Sequence, residues 1–165
     1  YEAIKKLSKS DIELVMNLQG DEPLMNIEDI KNLHDQMLKY KSKVGTLAST
    51  IKSKKLHEDQ NVVKVVTKET LDYSNFPEAI NFTRQILDEN RRIYHHLGIY
   101  CYQLETLKNF VSFNQSENEI KSRLEQLRAL DNGIKINVAL AKSSPIGVDT
   151  EEDFVAIKKI MEYKS

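Results

Sequence analysis

The sequence predicts an α/β fold, with a mixed, mostly parallel β-sheet flanked by helices. Short runs of branched apolar residues alternate along the chain with longer amphipathic segments, which is typical of this class. The first such run is followed by Gly20 and Pro23, residues that typically mark the end of a buried strand. A length of 165 residues is enough for one domain with a sizeable core, so we expect residues 1–165 to form a single domain.

The elements follow from local pattern. Helices are predicted where apolar residues recur every three or four positions, at residues 1–7, 27–40, 104–110, 120–130 and after Thr150. Strands are predicted where branched and aromatic residues concentrate, at residues 12–18, 43–51, 60–67, 79–83, 96–102 and 134–140. Ser116 with Glu119 has the pattern of a capping box. Residues 71–77 predict a loop, and the charged residues 88–92 predict an exposed segment.

Composition excludes several classes of function. The net charge is −1, without the basic excess of a nucleic-acid-binding protein or the polybasic block of a membrane-surface protein. A single cysteine, Cys101, excludes an intramolecular disulfide and a cysteine-cluster metal site. Its apolar neighbours favour a core residue over a nucleophile. There is no run of about 18 apolar residues and no signal peptide, so we expect a cytoplasmic protein that does not enter a membrane.

The segment 19–23, Gln-Gly-Asp-Glu-Pro, is the most informative motif. Its acidic pair follows a predicted strand, where open α/β sheets bind their ligands. Carboxylates there suit Mg²⁺, which in turn suits a phosphate substrate. The same residues would also make an ordinary strand-to-helix turn in which Asp21 caps a helix, and the motif alone does not decide between the two.

Four separated motifs together resemble one family. They are Gln-Gly-Asp-Glu-Pro at 19–23, His-Leu-Gly-Ile-Tyr at 96–100, Leu-Glu-Gln-Leu-Arg at 124–128 and Gly-Val-Asp-Thr at 147–150. Their identity, order and spacing resemble those of the 3-deoxy-manno-octulosonate (Kdo) cytidylyltransferases, or CMP-Kdo synthetases. The resemblance implies a nucleotidyltransferase fold of Rossmann-like type and a homodimer. It also implies that Kdo attacks the α-phosphate of CTP, giving CMP-Kdo and pyrophosphate for lipopolysaccharide biosynthesis.

The resemblance assigns roles residue by residue. Asp21 and Asp149 would be the catalytic carboxylates that hold Mg²⁺, although Asp149 alone would also suit a helix-entry residue beside Thr150. The positions that match contacts to the sugar acid are Gln19, His96, Tyr100, Glu125 and Gln126. His96 would donate a hydrogen bond to the sugar or its carboxylate. Without the resemblance, each of these side chains is more simply explained as structural.

Arg84 lies in Phe-Thr-Arg, which resembles the family's Phe-Ser-Arg, and its guanidinium would suit a carboxylate or a phosphate. Two departures stand beside these matches. The family continues with an Ile-Pro-Trp-Asp-Arg-like stretch that this chain lacks, and Arg91 or Arg92 does not align securely with its arginine. The family also begins with a triphosphate-binding strand and loop, Ser-x-Arg-Leu-Pro-Gly-Lys, whereas this chain begins in a helical pattern without an initiator methionine.

We therefore expect this chain to be the C-terminal portion of a cytidylyltransferase, truncated at the N-terminus and weak or inactive by itself. Two alternatives remain open at this point. One is a cytidylyltransferase that acts on another nonulosonic or octulosonic acid, since the loop before His96 is short. The other is a non-catalytic binding module that keeps the sheet without the nucleotide loop.

Overall fold

The computed structural model describes residues 1–6, 11–20, 23–85, 92–142 and 151–162. The helices are α1 (Glu2–Lys6), α2 (Ile27–Tyr40), α3 (Lys54–Glu58), α4 (Leu104–Phe110), α5 (Glu117–Ser122), α6 (Gln126–Asp131) and α7 (Glu151–Glu162). The strands are β1 (Leu14–Asn17), β2 (Val44–Ser49), β3 (Lys64–Thr67), β4 (Ala79–Thr83), β5 (Ile93–Gln103) and β6 (Ile136–Leu140). The α/β class predicted from the sequence is confirmed.

The six strands form one mixed sheet in the order β4-β3-β5-β2-β6, with β1 also paired to β5. The expectation of mostly parallel pairing is wrong for these strands. Only β2 and β6 run parallel, while β5 runs antiparallel to β1, β2 and β3, and β3 runs antiparallel to β4. The reason is that the long central strand β5 runs antiparallel to each of the three strands it pairs with. Whether two strands run parallel or antiparallel depends on which strands become neighbours, and the residue pattern of a strand does not show this.

Strands β1 and β3 share the same edge of β5 and leave an interval between them. β3 pairs with the start of β5, up to His95, and β1 pairs with its end, from Tyr100 onward. The opposite edge of β5 is covered by β2 along both halves. Residues 97–99 of β5, between His96 and Tyr100, therefore border an opening in the sheet, which we call the β1–β3 gap.

A bulge in β5 lies at the same level as the gap. Thr46 of β2 pairs with Tyr100, whereas the next residue, Leu47, pairs with Leu97, so Gly98 and Ile99 are two extra residues on β5. A bulge of this kind bends the strand and redirects side chains, and bulges concentrate beside active sites. The predicted strand at 96–102 is thus part of a longer strand that is interrupted in register.

Each face of the sheet carries its own core cluster. On one face, α2 places Leu33 and Met37 against Leu47 and Ile99. This packing is close, because a Cβ atom on Gly45 would lie 2.6 Å from Met37 Sδ. The other face is covered by α4, α5 and α6, whose buried side chains join those of the strands: Leu107, Phe110, Leu124, Leu127, Val44 and Val138. The apolar periodicity of residues 27–40 thus predicted α2 correctly.

The helical region after β5 differs from the prediction. A single helix at 120–130 is wrong, because Arg123 adopts a left-handed conformation with φ 54° and separates α5 from α6. The turn lets α6 fold back so that Arg128 binds Glu119 of α5. The capping box of Ser116 and Glu119 is confirmed. Short helix α3, capped by Ser53, was not predicted. Across the described ranges, no helix is both long and apolar enough to cross a membrane.

Candidate active site

The β1–β3 gap collects several of the residues that the sequence singled out. Gln19 follows β1, and its side-chain amide lies over the backbone of β5. A Cβ atom built on Gly98 would lie 2.9 Å from Gln19 Oε1 and 3.5 Å from Gln19 Cδ. The absence of a side chain at Gly98 therefore makes the space that the amide of Gln19 occupies.

His96 is buried in the middle of β5, with 8% of its surface exposed. Its ring meets Phe82 edge-on, with centroids 5.0 Å apart, and is tilted against Tyr100 at 5.4 Å. Its Nε2 atom lies 3.0 Å from the hydroxyl of Thr46. Burial, with a smaller contribution from neighbouring His95, lowers the pKa of His96 to about 3. The imidazole is therefore neutral at physiological pH.

Tyr100 presents a hydroxyl that none of the described residues binds. The residue is 7% exposed, and its hydroxyl oxygen is buried without a hydrogen-bond partner among the described residues. Burial raises the pKa of this phenol well above its ordinary value, and Tyr102 and then Glu125 raise it further. The hydroxyl therefore keeps its proton. A buried polar group without a partner costs about 1–3 kcal/mol, a cost that a bound ligand can remove.

Glu125, at the start of α6, lies close enough to Tyr100 and Tyr102 of β5 to raise the pKa of both phenols. Glu125 is the residue immediately before α6 and Gln126 is its first residue. The Glu125 carboxylate lies 3.3 Å from Arg128 Nη2 and remains largely exposed. Arg128 is anchored in turn, since its guanidinium lies over the ring of Phe110 at 5.0 Å. The structure therefore holds Glu125 near Tyr100 and leaves its carboxylate open to solvent, as an acceptor for hydroxyl groups must be.

Arg84 lies on the far side of β3 from these residues, at the end of β4. Lys64 pairs with Thr83 on one side and His95 on the other, so the next row of the sheet places Val63 between Arg84 and His96. The Val63 carbonyl accepts the His96 N–H at 3.0 Å. The backbones of Arg84 and His96 are therefore two strand spacings apart, which amounts to about 10 Å.

The head of Arg84 is already engaged. Its Nη1 donates to the carbonyl oxygen of Asn61 at 2.8 Å and approaches that of Gln60 at 3.4 Å. The buried Lys64 donates to the carbonyl oxygens of Asp59 and Arg84. Two cations thus fix the loop before β3, and Arg84 sits apart from the group around His96.

The two predicted metal ligands, Asp21 and Asp149, lie outside the described residues, as does Arg91. Arg92 is described, and it donates to the carbonyl of Lys68. Within the described ranges, no group of three or more histidine, cysteine or acidic residues is placed to hold a metal ion. What the structure describes near the predicted metal site is therefore limited to the strands that precede these two aspartates in the sequence.

The strands that precede the two aspartates, β1 and β6, end on the same side of the sheet. β1 and β2 both run antiparallel to β5, and β6 runs parallel to β2, so β1 and β6 point the same way. Helix α2 holds the end of β6, because Asp29 accepts the N–H of Lys142 at 2.8 Å and Asn32 donates to the Leu140 carbonyl at 3.3 Å. β1 and β6, the strands that precede Asp21 and Asp149 in the sequence, thus end on the same side of the sheet, and carboxylate oxygens are ligands that Mg²⁺ prefers.

Two other features contain none of the residues predicted to bind the sugar acid. Cys101 is fully buried, and burial raises the pKa of its thiol to about 11, as expected of a core residue. A cavity of about 640 Å³ lies between the turn after β1, at Gly20 and Pro23, and the α7 side chains Phe154, Ile157 and Met161. Its lining is largely apolar and includes none of the residues predicted to bind the sugar acid.

Sequence reasoning missed Thr46 and Gly98. Thr46 is a polar residue in the middle of a fully buried strand, where apolar residues are the rule, and that contrast is a signal. Gly98 stood inside the quoted motif, yet the role of its missing side chain depends on where Gln19 comes to lie. The contact of His96 Nε2 with the hydroxyl of Thr46 was not anticipated either.

Comparison with known proteins places these observations in context. Residues 1–136 match a family model described as Cytidylyltransferase. The 3-deoxy-manno-octulosonate cytidylyltransferase of Thermodesulfovibrio yellowstonii is 40% identical over 97% of this chain and 67% of its own length. That of Bartonella tribocorum is 35% identical over 98% of this chain and 66% of its own. The chain thus spans 66–67% of the length of these two relatives.

Two solved structures have a similar fold over nearly the whole of this chain. CMP:2-keto-3-deoxy-manno-octonic acid synthetase complexed with CTP matches 99% of this chain and 67% of its own, with a TM-score of 0.83 and 27% identity. An apo UDP-glucose pyrophosphorylase matches 99% of this chain and 57% of its own, with a TM-score of 0.68. At 12% identity, this second likeness shows the fold alone.

Proposed function

Because the chain belongs to the cytidylyltransferase family, we propose that the complete protein transfers the cytidylyl group of CTP to 3-deoxy-manno-octulosonate. The observation that carries the choice of a polyhydroxylated substrate is the buried hydroxyl of Tyr100, which has no hydrogen-bond partner among the described residues and lies beside His96 and near Glu125. The relatives bear the name of this activity, and the structural neighbour is a complex with CTP.

The reaction is a displacement at phosphorus. The anomeric hydroxyl oxygen of Kdo forms a bond to the α-phosphorus of CTP, the bond from that phosphorus to the β-phosphate oxygen breaks, and pyrophosphate leaves. The hydroxyl proton is released on the way. Such a displacement requires positioning and neutralisation of charge more than covalent chemistry by the protein. When bound, Mg²⁺ held by Asp21 and Asp149 would supply charge neutralisation at the triphosphate.

The described residues would position the sugar acid. The Tyr100 hydroxyl donates to a substrate oxygen, since it keeps its proton, and the exposed Glu125 carboxylate accepts from substrate hydroxyls. Gln19 and Gln126 each offer both a donor and an acceptor. We assign Arg84 to the substrate carboxylate, a role in which its guanidinium would bind an anion from its place two strands away from His96.

The resemblance also supports two broader proposals. We propose that the protein works as a homodimer and that its product serves lipopolysaccharide biosynthesis. Light scattering coupled to gel filtration tests the dimer, since a monomeric mass at micromolar concentration would contradict it. Accumulation of Kdo without CMP-Kdo in cells depleted of the protein tests the pathway.

The central experiment measures pyrophosphate release by the protein expressed from its complete gene, with CTP, Mg²⁺ and a panel of sugar acids that includes Kdo. We expect release with Kdo that stops on chelation and returns with added Mg²⁺. Asp149→Asn should abolish turnover, and Glu151→Gln, at an exposed position two residues further along, should not. Release only with another acid would move the substrate within the family. No release with any acid would favour the non-catalytic binding module.

A further inference from the structure

Thr46 of β2 is fully buried and lies opposite the bulge in β5. Its Oγ1 lies 2.7 Å from the Ile99 carbonyl oxygen, 3.3 Å from that of Leu97 and 3.0 Å from His96 Nε2. The bulge takes Gly98 and Ile99 out of the regular ladder between β2 and β5. The hydroxyl of Thr46 therefore links the irregular backbone of β5 to the ring of His96.

The number of hydrogens on the Thr46 hydroxyl and the His96 ring determines which of the two groups donates in this hydrogen bond. A threonine hydroxyl has one hydrogen and accepts through its lone pairs, while a carbonyl oxygen only accepts. At 2.7 Å, the hydrogen of Thr46 must lie towards Ile99, since two oxygens so close without a hydrogen between them would repel each other. The hydroxyl oxygen is then the acceptor for His96. Because the imidazole is neutral, its single N–H is at Nε2, and Nδ1 carries a lone pair.

We propose that Thr46 is a positioning residue: it holds His96 in the Nε2–H tautomer, so that Nδ1 is kept as a hydrogen-bond acceptor for a hydroxyl group of the bound sugar acid. The last part rests on the proposed function, whereas the tautomer does not. The arrangement complements the neighbouring Tyr100, whose protonated hydroxyl is a donor. The two adjacent side chains then present one acceptor and one donor, and a sugar hydroxyl, which both donates and accepts, matches that pair.

The neighbours of His96 explain why a hydroxyl rather than packing has to set the tautomer. The ring is held by aromatic contacts with Phe82 and Tyr100, and these fix its plane. Aromatic packing does not distinguish the two tautomers, because both have the same shape. The hydrogen bond to Thr46 does distinguish them. Removing the hydroxyl while keeping the shape, as Thr46→Val does, should release the tautomer and leave the ring in place. Thr46→Ser keeps the hydroxyl and is the matched control.

The first test reads the tautomer directly and needs no substrate. Long-range ¹H–¹⁵N NMR on the protein expressed from its complete gene distinguishes protonated from unprotonated ring nitrogens, and His96→Gln identifies the signals of His96. We expect the Nε2–H form in the wild type and in Thr46→Ser, and a shift towards the Nδ1–H form in Thr46→Val. An Nδ1–H tautomer in the wild type would overturn the proposal whether or not Thr46→Val folds, as would an unchanged tautomer in Thr46→Val.

The second test reads the consequence for binding. In Thr46→Val we expect the KM for Kdo to rise about fivefold, as for the loss of one hydrogen bond, with the KM for CTP unchanged. Thr46→Ser should restore a value near that of the wild type. An unchanged KM for Kdo in Thr46→Val, or equal effects on CTP and Kdo, would overturn the positioning role. Absence of wild-type turnover with Kdo would instead contradict the proposed function, and the NMR result would still decide the tautomer.

Discussion

The amide of Gln19 lies where a side chain at position 98 would begin, 2.9 Å from the place of a Cβ atom on Gly98. The contact joins the residue that follows β1 to the bulge of β5, across the β1–β3 gap. Because Gln19 is exposed, its side chain can swing away at little cost to the fold. Gly98 thus acts on the site through Gln19 rather than through the core.

This contact predicts the effect of Gly98→Ala. The added methyl group should displace Gln19 and raise the KM for Kdo about fivefold, the loss of about 1 kcal/mol of binding, while the urea midpoint stays within error of the wild type. Steady-state kinetics and urea unfolding measure the two quantities.

A double-mutant cycle supplies the control for Gly98. Gln19→Ala should raise the KM for Kdo by a similar factor, and the double variant should be no worse than either single one, because both remove the same interaction. Additive effects would show that Gly98 and Gln19 act separately.

Two buried tyrosines should respond to loss of the hydroxyl in opposite ways. The Tyr100 hydroxyl has no partner in the described part of the chain, so Tyr100→Phe should not lower the free energy of unfolding and should raise the KM for Kdo. The Tyr94 hydroxyl accepts the N–H of Leu71 at 2.9 Å, so Tyr94→Phe should cost about 1 kcal/mol of stability with little change in KM. Urea unfolding and kinetics compare them. A Tyr100→Phe variant that is less stable yet binds Kdo normally would remove Tyr100 from the site.

The ion pair of Glu119 and Arg128 should dominate the stability of the α5–α6 region. Two guanidinium nitrogens lie 2.7 and 2.6 Å from the carboxylate oxygens, and both side chains are largely buried. Glu119→Gln removes the charge but keeps the shape, and it should cost about 3 kcal/mol in urea unfolding, since it leaves the largely buried Arg128 with only the exposed carboxylate of Glu125, 3.3 Å away. Glu28→Gln, which breaks an exposed pair with Lys31, is the control and should not move the midpoint measurably.

Acid should act on the same pair. Hydrogen bonds from Arg128 hold the pKa of Glu119 at about 2, below its ordinary value of 4.5. A carboxylate with a lowered pKa stabilises the fold fully above its unfolded pKa and loses that contribution as the pH falls. The loss should therefore run from about pH 4.5 to about pH 2 and be absent in Glu119→Gln. Equal slopes of stability against pH in this window would contradict the assignment.

His96 should add a separate pH dependence at higher pH. Its pKa is lowered from 6.5 to about 3 in the folded protein. Between these two pH values, His96 therefore binds a proton in the unfolded chain but not in the folded chain. The contribution is complete above about pH 6.5 and is lost as the pH falls towards 3, with a slope of about 1.4 kcal/mol per pH unit. His96→Gln should flatten the urea-derived stability between pH 6.5 and 4.5. An unflattened profile would mean that His96 accepts a proton in the folded protein.

What could be predicted from the sequence depended on how local the interactions are. The α2 helix and the strand at 79–83 were placed with correct bounds, because periodicity and capping are properties of neighbouring residues. The division of the helical region at Arg123 was missed, because the turn is stabilised by a pair nine residues apart, Glu119 and Arg128. The candidate site residues came from motifs, and Gln19, His96 and Tyr100 do lie around one gap.

The sequence by itself determined the α/β class, the main elements, the family and the types of side chain available to the site, since each is written in local pattern or in motifs. Only the tertiary structure decided that β5 opposes its neighbours, that β1 and β3 leave a gap on one edge of it, and that Thr46 meets His96 across its bulge. Those features depend on pairing between residues 27 to 89 positions apart, and the protonation of His96 depends on burial and on one hydroxyl. No pattern of neighbours along the chain encodes either of them.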